Sequence, residues 1–67
     1  MITRIGIIAG EIWHYLDQHG PSRLSDMLSK IDTSRDTMLM SLGWLAREGH
    51  VILDGEKDYV VTLRKQA

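Results

Sequence analysis

Apolar positions along the chain fall into three helical stripes followed by two short β-rich runs. Ile5, Ile8, Ala9, Ile12, Tyr15 and Leu16 recur at three- and four-residue spacing, which makes one helical stripe about 120° wide. Glu11, His14, Asp17 and Gln18 fall on the opposite side. A first helix is therefore expected from about Thr3 to His19, with Thr3 as its N-cap. Gly20-Pro21 ends it, since glycine suits a left-handed cap and proline cannot continue a helix. Leu24, Met27, Leu28 and Ile31 supply the buried side of a second helix from about Arg23 to Lys30, with Ser22 as its expected cap. Asp32-Thr33-Ser34 makes a tight turn, and Ser34 or Thr33 caps a third helix that reaches Glu48 and closes at Gly49.

The chain then changes period. His50 to Asp54 and Tyr59 to Leu63 are β-rich runs joined through Asp54-Gly55-Glu56-Lys57-Asp58, in which Gly55 supplies the turn. Tyr59, Val61 and Leu63 share one face, with Val51 and Leu53 able to pair beside them. Arg64 to Ala67 reads as a frayed tail. Two helices, a tight turn, a third helix and a hairpin is the order of a winged helix-turn-helix. The expectation is an α+β, mainly α fold, with a three-helix core plus a C-terminal β-hairpin wing, in a single domain over residues 1–67.

Two segments strengthen that expectation. Ala9-Gly10-Glu11-Ile12-Trp13-His14-Tyr15-Leu16 and Leu42-Gly43-Trp44-Leu45-Ala46-Arg47-Glu48-Gly49 resemble a small winged helix-turn-helix family of bacteria and archaea with no assigned activity. More broadly, the stretch from Thr37-Met38 to Gly49-His50-Val51 resembles the recognition helix and wing entry of many bacterial transcription regulators. The resemblance implies the winged-helix fold and, for the smaller family, a homodimer.

Composition narrows the classes of function. The 67 residues are 43% hydrophobic and 25% charged, the balance of an ordinary globular protein. No apolar run is long enough for a membrane span, and the start Met1-Ile2-Thr3-Arg4 lacks the order of a secretory signal, so a cytoplasmic location is expected. There is no cysteine, hence no disulfide or thiolate chemistry. His14 and Asp17 share a helix face, but two exposed ligands hold a metal weakly. No serine stands in a nucleophile elbow, and Gly6, Gly10 and Gly20 are too widely spaced for a phosphate loop. Neither catalysis, a cofactor nor a small-molecule substrate is expected, and a chain this small has little room for a pocket of about 300 Å³ or more.

The third helix carries the functional question. In a helix-turn-helix protein this element enters the major groove, so its outer face should offer Arg, Lys, Asn, Gln or Ser to bases and phosphates. Placed at 100° per residue, Met38, Leu42, Leu45 and Gly49 centre on the core side, flanked by Leu39 and Ala46. Met40 and Trp44 fall at the middle of the opposite side, with Asp36, Thr37, Gly43 and Arg47 around them. Arg35 and Arg47 are balanced by Asp36 and Glu48, and in the wing Asp54, Glu56 and Asp58 outnumber Lys57. The chain as a whole carries a net charge of −1, whereas duplex binding draws most of its affinity from cations on phosphates. Arg4, Arg23, Lys30, Arg35, Arg64 and Lys65 are scattered and read as a solubilising surface.

Two readings follow. In the first, Met40, Gly43, Trp44 and Arg47 belong to a protein interface, a second copy of the chain being the simplest partner. In the second, the chain is a DNA-binding transcription regulator whose contacts are Arg35, Thr37, Ser41, Arg47 and Lys57. The first requires Trp44 to point outward, since the wing or first helix could equally fold over it as core. Trp13 is expected at the core boundary, and Ile7 as a single exposed apolar side chain.

Overall fold

A computed structural model of the chain describes residues 4–64. Thr3 as an N-cap, and the tail from Lys65 onward, lie outside the described residues. The element order is α1 (Arg4–His19), β1 (Ser22–Arg23), α2 (Leu24–Lys30), α3 (Arg35–Arg47), β2 (Val51–Asp54) and β3 (Val60–Leu63). The architecture is α+β and mainly helical, a winged helix in which α1, α2 and α3 pack beside a small antiparallel sheet. Among the described residues no helix is long and apolar enough to cross a membrane.

One apolar cluster joins the three helices to β2 and β3, with Ile31 from the loop after α2. Ile8, Ala9, Ile12 and Leu16 from α1 meet Leu24 and Met27 from α2, Met38, Leu42 and Leu45 from α3, and Val51 and Val61 from the sheet. Tyr15, Leu28, Leu39, Leu53, Tyr59 and Leu63 are half-buried around this centre. The three- and four-residue spacing read in α1 and α3 is thus the spacing of their buried faces.

The helix ends show why the chain turns where it does. The Ser34 hydroxyl accepts a hydrogen bond from the Thr37 N–H at 3.1 Å, the expected cap of α3. At the other end, Gly49 adopts φ 78°. Its N–H donates to the Ala46 carbonyl at 3.1 Å, and the His50 N–H donates to that of Leu45 at 2.9 Å. This pair of bonds needs a left-handed residue, and glycine takes that conformation without a Cβ penalty.

The sheet differs from the expected hairpin. It has three strands in the order β1-β3-β2, all antiparallel. Val51 pairs with Leu63 and Asp54 with Val60 in the hairpin, while Ser22 and Arg23 pair with Val61 and Val60 on the other side of β3. The Arg64 N–H also donates to the His50 carbonyl at 2.8 Å, so the ladder takes in a residue expected in the frayed tail. Ser22 does not cap α2. It is buried in β1, and its hydroxyl donates to the Gly20 carbonyl at 3.0 Å. Arg23 is the residue that precedes α2, and the loop between β2 and β3 supplies the missing cap: the Ser25 N–H donates to Asp58 Oδ1 at 2.8 Å. A carboxylate delivered from the wing frees Ser22 to join the sheet.

Candidate interaction surface

The packing of α3 decides which of its side chains can meet a partner. Met38, Ser41, Leu42 and Leu45 are buried against α1 and the sheet. Asp36, Met40, Gly43, Trp44 and Arg47 are exposed on the other side. Met40 is 52% exposed and Trp44 49%, so neither the wing nor α1 covers them. The two are one helical turn apart, and Gly43 and Arg47 continue the same stripe along the next turn.

Gly43 has no internal explanation. A Cβ built on it meets no heavy atom within 4 Å, so a side chain there would enter open space. Glycine in a helix interior costs about 1 kcal/mol relative to alanine. Nothing among the described residues requires that cost.

The residues expected to read DNA fare unevenly. Arg35, Arg47 and Lys57 are exposed. Thr37 is half-buried, and its hydroxyl accepts from the Ser34 hydroxyl at 2.9 Å as part of the α3 cap. Ser41 must be corrected outright: it is fully buried, its hydroxyl donating to the Thr37 carbonyl at 2.7 Å and lying 3.3 Å from the Ile5 carbonyl of α1. Ser41 stands at i+3 from Met38 and four residues before Leu45, so it shares the buried face of α3 despite its polar side chain.

The wing offers little to a phosphate backbone. Asp58 lies in the loop between β2 and β3, with its carboxylate turned to α2. Asp54 and Glu56 stay exposed beside Lys57. The backbone N–H of Ser25, followed by its hydroxyl, holds the Asp58 carboxyl below the usual carboxylate range, with smaller help from the Arg23 and Arg35 charges. Arg23, 4.0 Å from the Asp58 carboxylate, therefore faces an internal anion. This link between wing and α2 was not anticipated, and its sequence signal, an aspartate 33 positions from the serine it binds, is too distant to read.

Other surface features are less concentrated. Trp13 is 39% exposed, farther out than a boundary position, and meets the His14 ring edge-on at 5.7 Å. Ile7 is exposed as expected, and Ile52 on β2 is a further exposed apolar residue that the strand pattern did not single out. A groove of about 600 Å³ runs along α1 to the end of α2, larger than a chain of this size was expected to offer. It is open-sided and lined by both signs of charge, Arg4 and Lys30 with Glu11 and Asp32. Among the described residues no three His, Asp or Glu side chains are grouped as metal ligands.

This arrangement of elements and caps is that of a winged helix-turn-helix domain. The chain belongs to the winged helix-turn-helix domain family DUF2582, whose model matches residues 1–64. It is similar to an uncharacterised protein of the archaeon Methanocaldococcus jannaschii, 33% identical over an alignment 67 positions long that covers 96% of each chain. No solved structure matches it significantly.

Proposed function

We propose that this chain is a non-catalytic interaction module that docks a protein, in the simplest case a second copy of itself, on the outer face of α3. The observation that carries this reading is the half-exposure of both Met40 and Trp44 on a helix whose other side is buried core. Trp and Met are enriched at protein interfaces, and burying the exposed half of a Trp of roughly 200 Å² at about 25 cal/mol per Å² is worth about 2–3 kcal/mol. Gly43 adds a point where another backbone or a long side chain can come close. The charge balance points the same way, because an apolar stripe with one acid and one base suits a protein better than a polyanion.

Sedimentation equilibrium or light scattering across a concentration series tests the reading. The wild-type chain is expected to form dimers, and a Met40→Ser, Trp44→Ser variant to remain a folded monomer. A wild-type chain that stays monomeric counts against a self-partner. The rival reading is a DNA-binding regulator, in which exposed Arg35, Arg47 and Lys57 would touch the duplex. Titration of a labelled duplex at low salt separates the two: micromolar affinity that falls steeply with added salt would put nucleic acid in the partner's place.

A further inference from the structure

The small sheet has an open side. In the order β1-β3-β2, strand β3 is flanked on both sides and β1 is two residues long, so β2 presents the longer free edge. The phase of its ladder follows from the Arg64 N–H, which donates to the His50 carbonyl. Hydrogen-bonded pairs alternate along antiparallel strands, so His50, Ile52 and Asp54 direct their backbone groups to β3. Val51 and Leu53 direct theirs away from it, and among the described residues no hydrogen bond takes these up. Val51 is 3% exposed, so its N–H and carbonyl have little access to water either, a condition that buried backbone rarely tolerates. Side chains alternate as well. Val51 and Leu53 face the core, while His50, Ile52 and Asp54 are exposed on the outer face of the sheet.

We propose, resting on the self-association reading above, that two copies join β2 to β2 in antiparallel fashion. The two-fold axis stands perpendicular to the sheet, midway between the two Ile52 residues. In that register Val51 of each copy stands opposite Leu53 of the other, and their outward N–H and carbonyl groups exchange hydrogen bonds on both sides of the axis. Ile52 meets Ile52 at the axis, in the kind of pair whose side chains come closest. His50 of each copy stands opposite Asp54 of the other on the same outer face, base against acid. Shifting the strands by two residues would instead set Ile52 opposite His50 or Asp54, so the side chains select this register. The axis also keeps both copies on one side of the combined sheet. Because α1 packs on β3 and α3 on β2, α3 lies on the flank that carries the free edge, and the second copy brings its own α3 to that flank. The strand edge thus sets the register, and the outer face of α3 adds apolar area to the same interface.

Sedimentation of edge variants tests the pairing. Ile52→Lys sets two ammonium groups against each other at the axis and is expected to weaken the dimer by about tenfold or more. His50→Asp confronts acid with acid at both ends of the ladder, and Asp54→Lys confronts base with base. Each is expected to weaken the dimer alone, whereas an equal mixture of the two restores both pairs and is expected to form the heterodimer. All three positions are exposed, so the fold should tolerate these changes. Circular dichroism confirms that each variant folds.

The native chain has no cysteine, which allows a second test independent of charge. Ile52→Cys is expected to cross-link to its own copy under mild oxidation, since directly opposed residues lie within disulfide reach. Asp54→Cys is not, because the two copies of that position stand about 14 Å apart along the strands, four residues at about 3.4 Å each. A wild-type monomer overturns this arrangement together with the self-association reading. A dimer that Met40→Ser, Trp44→Ser disrupts, but that ignores Ile52→Lys and yields no Ile52→Cys cross-link, overturns the strand pairing alone. A dimer lost in Ile52→Lys but kept in Met40→Ser, Trp44→Ser supports the pairing and removes the self-partner from α3.

Discussion

Ser25 and Asp58, 33 positions apart, are joined twice: the Ser25 N–H donates to Oδ1 and the Ser25 hydroxyl to Oδ2, both at 2.8 Å. A helix N-terminus ordinarily receives its cap from the residue just before it. Arg23 precedes α2 and has no side-chain oxygen, so the wing loop performs that task. Arg23 reinforces the link at 4.0 Å from the Asp58 carboxylate, although both side chains are substantially exposed and the ion pair itself is weak.

Asp58→Ala removes both hydrogen bonds at once and is expected to lower the melting temperature. Ser25→Ala keeps the backbone N–H bond and loses only the hydroxyl, so a smaller drop is expected. Hydrogen exchange at the Ser25 amide should accelerate in Asp58→Ala, because its acceptor is gone. Equal melting temperatures for Asp58→Ala and the wild type would show that the loop does not stabilise α2.

The same contact sets a pH dependence. Hydrogen bonds from Ser25, and secondarily the charges of Arg23 and Arg35, keep the Asp58 carboxyl more acidic in the folded chain than in the unfolded one. Its stabilising contribution is therefore complete above the unfolded carboxylate value, about 3.9, and is lost as pH falls through the lower folded value. Denaturant melts of the wild type and Asp58→Asn are expected to differ by a constant amount near neutral pH and to converge below about pH 4. A difference that widens on acidification would contradict this assignment.

How much of this was legible in the sequence depends on the range of each interaction. The helices were readable because Ile8, Ile12 and Leu16, or Met38, Leu42 and Leu45, repeat at the period of the structure they form. Ser34 and Gly49 were readable as caps because their partners lie within four or five residues. Strand β1 was not: two residues carry no period, and only the neighbouring β3 makes Ser22 and Arg23 a strand. Ser41 is buried for a reason the spacing does carry: with Met38, Leu42 and Leu45 it completes the i, i+3, i+4, i+7 set of the buried face, and only its polar side chain, satisfied there by the Thr37 and Ile5 carbonyls, disguised it as a surface residue. The outward placement of Met40 and Trp44 followed from the helical period, and among the described residues neither α1 nor the wing covers that side.

Gly43→Ala should stabilise the isolated protomer. The added methyl enters open space, and the helix gains about 1 kcal/mol of intrinsic propensity. Urea melts at concentrations low enough to keep the protein monomeric measure this directly. A loss of stability there would mean that the position is constrained from within the chain.

Ser41→Ala should cost about 1 kcal/mol, the usual worth of a hydrogen bond lost from a buried hydroxyl. The Thr37 carbonyl loses a short bond of 2.7 Å, and α1 and α3 lose their polar link through the Ile5 carbonyl. Because the side chain is buried, the substitution is expected to leave any affinity for duplex DNA unchanged. A specific loss of DNA affinity without a loss of stability would return Ser41 to the contact surface.

Ile12 and Trp44 should respond in opposite ways to truncation. Ile12 is wholly buried at the centre of the α1 stripe, in contact with the cluster that includes α3 and the sheet. Ile12→Ala leaves a cavity there and should cost roughly 2–5 kcal/mol, a large share of what a domain of this size possesses. Trp44, although the larger side chain, is half exposed, and Trp44→Ala should cost the protomer no more than about 1–2 kcal/mol. Its effect should appear instead in the dissociation constant of the dimer. Melting and sedimentation of the two variants side by side therefore distinguish a core tryptophan from a docking one: a Trp44→Ala protein that unfolds as readily as Ile12→Ala would place the indole in the core and remove the basis for an interface on α3.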